Sequence, residues 1–200
     1  MESNPINRRN DMKRNYDLLG IGMSAGGLQS LAEFLDTFDE NLPLAIILVS
    51  HLRPNFREKL LEILASKTSM HVATVKEDTE LQQGTIYIIG DGLEAIVAHN
   101  WLKVSQAGPG NHVIDKMLSS LVVDQAELTI GMILSGTGSD GAQGLKMISE
   151  AGGEVLVQEP FSALYQSLPR LAIKVDHPDK ILPPLRLAKW INRKLGTFAI

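Results

Sequence analysis

"DLLGIGMSAGGLQSLAEFL", residues 17–35, supports two different machines at one turn. Counted on Gly20, Gly22 and Ala25, it fits the G-x-G-x-x-(G/A) turn that cradles a dinucleotide pyrophosphate. Counted on Gly22, Ser24 and Gly26, it fits the G-x-S-x-G elbow that presents a nucleophilic serine. Both readings share a strand, a turn and a helix. "YDLLGIG" is a short apolar run suited to a buried strand, and in "GLQSLAEFLDTF" Leu28, Leu31, Phe34 and Leu35 recur at the spacing of one helix face. The choice between cradle and elbow is made by what surrounds this stretch.

Downstream, "LPLAIILVS" is apolar on consecutive residues, as a strand covered on both faces requires. "FREKLLEILASKT" has a helical pattern and "HVATVKE" reads as a third strand. That β-α-β-α-β order predicts a parallel sheet with right-handed crossovers. From Thr85 to Ser105, "TIYIIG", "EAIVAH" and "WLKVSQ" are short strand-like runs joined by turns, which predicts a small antiparallel extension. "HVIDKMLSSLVVDQA" then reads as a helix, "LTIGMILSG" as a second strongly apolar strand, "GAQGLKMISEAGG" as a helix ending at glycines and "EVLVQ" as a strand. "SALYQSLPRLAIK" and "PPLRLAKWINRKL" read as the last helices. The expected fold is α/β: a doubly wound, mostly parallel sheet with helices on both faces and a small antiparallel hairpin extension. Residues 1–15 read as a polar, disordered leader and 16–200 as a single domain.

Composition narrows the function classes. The chain has 200 residues, 44% of them hydrophobic, and 19 basic against 23 acidic residues give a net charge of -4. With no long run of one sign, a nucleic-acid surface is not expected. There is no cysteine, so disulfides, zinc-thiolate sites and cysteine nucleophiles are excluded. Neither a signal peptide nor a run of roughly 18 apolar residues is present, and a cytoplasmic protein without membrane insertion is expected.

The dinucleotide reading needs an acidic residue closing the second strand, about 20 positions past the glycines, to bind the ribose. That strand ends in Ser50-His51, and Asp36, Asp39 and Glu40 precede it. The elbow reading needs a base, an acid to orient it and backbone donors for an oxyanion. His51 lies at the C-terminal end of the second strand. "MILSGTGSDGAQG" ends another strand in a glycine-rich turn with Asp140 just before a helix. In a doubly wound sheet these ends gather at one edge, which makes Ser24, His51 and Asp140 a candidate triad. Taken singly, each has an ordinary role: Ser24 and Asp140 as helix caps, His51 as a solvated strand end. His71, His99, His112 and His177 read as structural or surface residues, and the methionines as core filler. No cofactor or metal is expected.

"GIGMSAGGLQSL", "LVSHLRPN", "LSGTGSDGAQGLKMISEAGGEVLVQEP" and "SLPRLAI" resemble, in order and spacing from about residue 16 to 187, the catalytic domain of the chemotaxis-type protein-glutamate methylesterases, the CheB family. "SGTGSDG", with "IDKMLSSLVVD" before it and "VLVQEP" after, is most similar to methylesterase domains fused to a receptor methyltransferase. The resemblance implies a serine hydrolase that removes methyl esters from glutamate side chains of receptor signalling helices, often deamidating glutamines there. By motif, the family's serine, histidine and aspartate fall on Ser24, His51 and Asp140. Backbone N–H groups at Ala25, Thr137 and Gly138 are candidates for the oxyanion hole. Methylated cytoplasmic receptor helices are the implied partners, with a methyltransferase or receiver domain in trans as a further one. A non-catalytic interaction module on the same fold and a dinucleotide-binding domain are the alternatives.

Overall fold

The computed structural model describes residues 14–50, 54–108, 110 and 112–196. In chain order, β1 (Asp17–Met23) leads into α1 (Gly27–Leu35), β2 (Leu44–Ser50), α2 (Pro54–Lys67) and β3 (His71–Val75). Next come β4 (Thr79–Glu80), β5 (Thr85–Ile89), β6 (Leu93–Ala98) and β7 (Trp101–Gln106). The last part holds α3 (Val113–Ser120), α4 (Val122–Gln125), β8 (Thr129–Ile133), α5 (Ala142–Glu150), β9 (Glu154–Gln158), α6 (Ser167–Val175), β10 (Lys180–Leu182) and α7 (Pro184–Gly196).

The main sheet is parallel and seven-stranded, in the order β10-β9-β8-β1-β2-β5-β3. Its strands alternate between two apolar layers, as the period of two demands. Leu18, Ala45 and Ile47 point to one layer, where Ile114, Met117 and Leu118 of α3, Leu145 and Ile148 of α5 and Leu168 of α6 pack. Leu19, Ile21, Ile46 and Leu48 point to the other, under Leu31 and Phe34 of α1, Leu60 and Leu64 of α2, and Leu187 and Ile191 of α7. Each leucine, isoleucine, methionine or phenylalanine among them contributes about 1.5–3 kcal/mol by leaving water. The expected doubly wound sheet with helices on both faces is therefore present.

Three local expectations change. β5 belongs to the parallel sheet, between β2 and β3, and not to the antiparallel extension. All five of its residues are buried, the mark of a strand covered on both faces. The extension is β4-β7-β6, in which β6 and β7 join through His99 and Asn100 at φ 51° and 62°. That left-handed pair makes the two-residue turn that matches strand twist. The helix expected over 112–126 breaks into α3 and α4 at Leu121, whose N–H turns back to Leu118 O. The helix expected from Ser162 begins only at Ser167, because Tyr165 spends its backbone on Ser135 and Gly136. The short strands β4 and β10 carry too few residues to show a periodicity.

Arg14, inside the expected leader, is buried, and its N–H donates to Gln125 Oε1 at 2.6 Å. Residues 1–13 of the expected leader lie outside the described residues. The extension braces α3: Ser120 Oγ accepts the Val97 N–H at 2.8 Å and donates to Met117 O.

Candidate active site

The site lies where the winding of the sheet reverses, beside β1, with β2 on one side and β8 on the other. Crevices at the carboxyl ends of such strands collect ligands and chemistry. β1 places Met23 opposite Ser50 of β2, and Ser24 is the first residue beyond that pair. Its N–H donates to Ser135 O at 3.1 Å, and its carbonyl accepts the Gly27 N–H at 2.9 Å. The chain turns sharply there, with Gly26 at φ 75°. A Cβ on Gly26 would lie 2.6 Å from Ser135 Oγ and 2.9 Å from Leu164 Cβ, so only glycine fits.

Ser24 is half-buried and does not cap α1: Gly26 is the N-cap and no side chain bonds the helix end. Among the described residues no hydrogen bond engages its Oγ. Gly20 and Gly22 lie within β1 and not in the turn. A Cβ on Gly20 would strike Leu121 Cδ1 at 2.5 Å, and one on Gly22 would strike Ile114 Cγ2 at 2.4 Å. These two glycines let side chains of α3 and of Leu121, just after it, sit against the strand. The space a pyrophosphate cradle requires is filled by leucine and isoleucine, and the dinucleotide reading of the turn fails on that ground.

Asp140 follows the glycine-rich turn after β8 and is buried. Its carboxylate caps a helix, but not the one that follows it. Oδ2 accepts the Ile114 N–H at 3.0 Å and Oδ1 the Asp115 N–H at 2.9 Å, both in the first turn of α3. Ile114 also links the two arms of the site, because its side chain meets both the Gly22 position and the Gly141 position, at 2.4 and 2.7 Å from an added Cβ. The chain two residues before Ser24 and the chain just after Asp140 thus share one packing partner.

His51 lies outside the described residues. The register delivers Ser50, its predecessor, directly beside the end of β1. Of the oxyanion candidates, Ala25 follows the serine, while Thr137 and Gly138 are exposed in the turn and Gly138 has φ 86°. None of their N–H groups is engaged among the described backbone bonds, whereas the Gly136 N–H is bound to Tyr165 O at 3.1 Å.

His112 has closer acidic company than its sequence context suggested. Its Nδ1 lies 3.7 Å from Asp115 Oδ2 and 4.0 Å from Asp140 Oδ1, with the imidazole 64% exposed. These three side chains bring ligand atoms within 4.8 Å of one another. Both carboxylates, however, accept N–H groups from helix N-termini, whose partial positive charge opposes a cation there. The two carboxylates are committed to backbone hydrogen bonds. Burial, reinforced by the Asp140 charge, pushes the Asp115 carboxyl above the usual range, against the pull of N–H donors from Gly144 and Gly141.

Two buried residues that the sequence reading passed over hold the elbow in place. Ser135 Oγ donates to Ala25 O at 2.9 Å and accepts the Tyr165 N–H at 3.0 Å. Gln158, at the end of β9, accepts the Ser135 N–H at 2.8 Å and donates to Ser162 O at 3.1 Å. A fully buried glutamine closing an apolar strand is the signal that could have marked it.

Among the described residues no helix is long and apolar enough to cross a membrane. The family model described as CheB methylesterase matches residues 19–191. A protein-glutamate methylesterase/protein-glutamine glutaminase of Trichodesmium erythraeum is 29% identical over 187 residues, covering 90% of this chain and 53% of the relative. The protein-glutamate methylesterase FrzG of Myxococcus xanthus is 30% identical over 185 residues, 88% of this chain and 55% of FrzG. The chain thus spans about half the length of these two relatives. A putative protein-glutamate methylesterase/protein-glutamine glutaminase of Leptospira interrogans, 29% identical, is covered over 95% of its length. The crystal structure of the Thermotoga maritima CheB methylesterase catalytic domain superposes with a TM-score of 0.80 at 24% identity, covering 90% of this chain and 98% of that one, which establishes the shared fold. On these matches and this architecture, the chain belongs to the CheB methylesterase family.

Proposed function

We propose that the chain is a serine hydrolase that removes methyl esters from glutamate side chains of chemotaxis-type receptors, with Ser24 as nucleophile, His51 as base and Asp140 as the acid that orients it. The observation that carries this reading is the elbow. Ser24 leaves β1 one residue past the Met23–Ser50 pair and two residues before the left-handed Gly26, with its hydroxyl spent on no cap. The buried Asp140 turn packs on the same isoleucine as the elbow strand. The names of the relatives support glutamyl methyl esters as the substrate and glutamine side-chain amides as a second one.

In this mechanism His51 takes the Ser24 proton as Oγ attacks the ester carbonyl, and Asp140 holds the imidazole tautomer. The oxyanion forms beside the N–H groups of Ala25 and of the Thr137–Gly138 turn. Methanol leaves with the proton returned by His51. Water, deprotonated by the same base, then hydrolyses the acyl-serine to a free glutamate carboxylate.

The test is methanol release from methylated cytoplasmic fragments of a receptor. Wild type turns over, and Ser24→Ala and His51→Ala each lose about 10³-fold or more, with little further loss in the double variant. Ser24→Ala stays within about 0.5 kcal/mol of wild-type stability, since no helix cap is lost. Turnover by Ser24→Ala at the wild-type rate refutes the elbow. A wild type that binds the receptor but releases no methanol makes the chain an interaction module.

A further inference from the structure

We propose that Asp115 is a positioning residue for the catalytic acid: its carboxylate pins the peptide that carries Asp140, so the orientation of that acid is set from α3. The proposal rests on the reading of Ser24, His51 and Asp140 as a triad. An acidic residue in the first turn of a helix ordinarily needs no explanation beyond the helix dipole. Asp115 is used differently, because its Oδ1 accepts two N–H groups at the start of another helix, those of Gly141, the N-cap of α5, and of Gly144 in its first turn, each at 2.8 Å. Asp140 returns the arrangement by accepting the Ile114 and Asp115 N–H groups of α3. Each helix N-terminus is therefore capped by an aspartate of the other segment.

The exchange has little slack. A Cβ on Gly144 would lie 2.7 Å from Leu118 Cβ and 2.9 Å from Asp115 O, so α3 and α5 touch almost backbone to backbone. The Gly141 N–H belongs to the peptide immediately after Asp140, and Gly141 is held at φ 108°. Fixing that N–H fixes the plane from which the Asp140 side chain departs. Without the Asp115 oxygen, the Gly141 donor in its left-handed turn and the Gly144 donor in the first turn of α5 lose their partner, and the backbone that aims the Asp140 carboxylate loses one of its anchors.

Asp115→Ala, Asp115→Glu and Asp115→Asn are compared with wild type by steady-state methanol release, at a temperature where thermal unfolding shows every variant folded. A displacement on the order of 1 Å costs about 100-fold in rate, so Ala and Glu should lower kcat about 10–100-fold while KM stays within about threefold. Glu keeps the charge but moves it by one methylene, and it serves alone if Ala does not fold. Asn offers one oxygen in the place where Oδ1 takes both N–H groups, and should restore kcat to within about fivefold of wild type. Wild-type kcat in both Ala and Glu overturns the proposal. So does an Asn variant as impaired as Ala, which would make the charge the cause, or a loss confined to KM, which would make Asp115 a substrate contact. A wild type that releases no methanol fails the hydrolase reading itself and removes this proposal with it, a result distinct from an active enzyme indifferent to Asp115.

Discussion

Asp140→Asn separates the cap that the Asp140 carboxylate makes on α3 from the catalytic role proposed for it. Its two oxygens accept from different donors, Oδ2 from the Ile114 N–H and Oδ1 from the Asp115 N–H. Asparagine has a single acceptor oxygen, so in either flip one buried N–H faces an NH₂ group. An unsatisfied buried donor costs about 1–3 kcal/mol. Loss of negative charge at the α3 N-terminus adds about 0.3–1 kcal/mol. A loss of about 1–4 kcal/mol in a domain of this size lowers Tm by about 3–15 °C. If Asp140 also holds the His51 tautomer, kcat falls by a further, separate factor of about 10⁴, measured below the lowered transition. The assay pairs thermal unfolding with methanol release. A normal Tm with lost activity would refute the cap geometry. A lowered Tm with full activity would make Asp140 a helix cap and nothing more.

Gly136→Ala tests how closely the turn is fitted to Ser24, the proposed nucleophile. The new Cβ would lie 2.7 Å from Leu168 Cδ2 and 3.1 Å from Ser24 Cβ. Overpacking of this kind costs about 1–3 kcal/mol, and displacing Ser24 lowers kcat by about 100-fold; unchanged kcat and Tm would contradict the contact. At alkaline pH, Tyr16 should limit stability. Its hydroxyl lies 2.9 Å from both Leu81 O and Asn100 Oδ1, and burial raises its pKa from 10.0 to about 12. Between those values the unfolded chain has lost the proton and the native one keeps it, so this contribution is complete below pH 10 and disappears as pH rises to about 12. Denaturant titrations across that window should show Tyr16→Phe losing less stability with pH than wild type, and equal slopes would refute the assignment.

The sequence alone determined the layered α/β class, because runs such as "LAIILVS" and "TIGMI" are apolar on consecutive residues and the helices between them repeat at 3.6. It also determined that Ser50 closes a strand and that Ser24 and the Asp140 turn follow strands, since the elbow glycines and the glycine-rich turn are local punctuation. Placement of β5 was legible only in part: "TIYII" has the unbroken apolar run of a doubly covered strand, but its neighbours in sequence, "EAIVAH" and "WLKVSQ", form a hairpin, and partner choice is a matter of tertiary contact. Cradle against elbow had the same character. Whether Gly20 and Gly22 face a phosphate or a leucine depends on α3, which lies about a hundred residues further along the chain and fills the space beside them. The exchange of caps between Asp115 and Asp140, and the bracing of the elbow by Ser135 and Gln158, join residues from 23 to 110 positions apart. Local propensity reports how a residue shapes its own turn. It carries no information about which distant N–H a carboxylate will meet, because that is decided by the packing of α3 against α5 on the sheet.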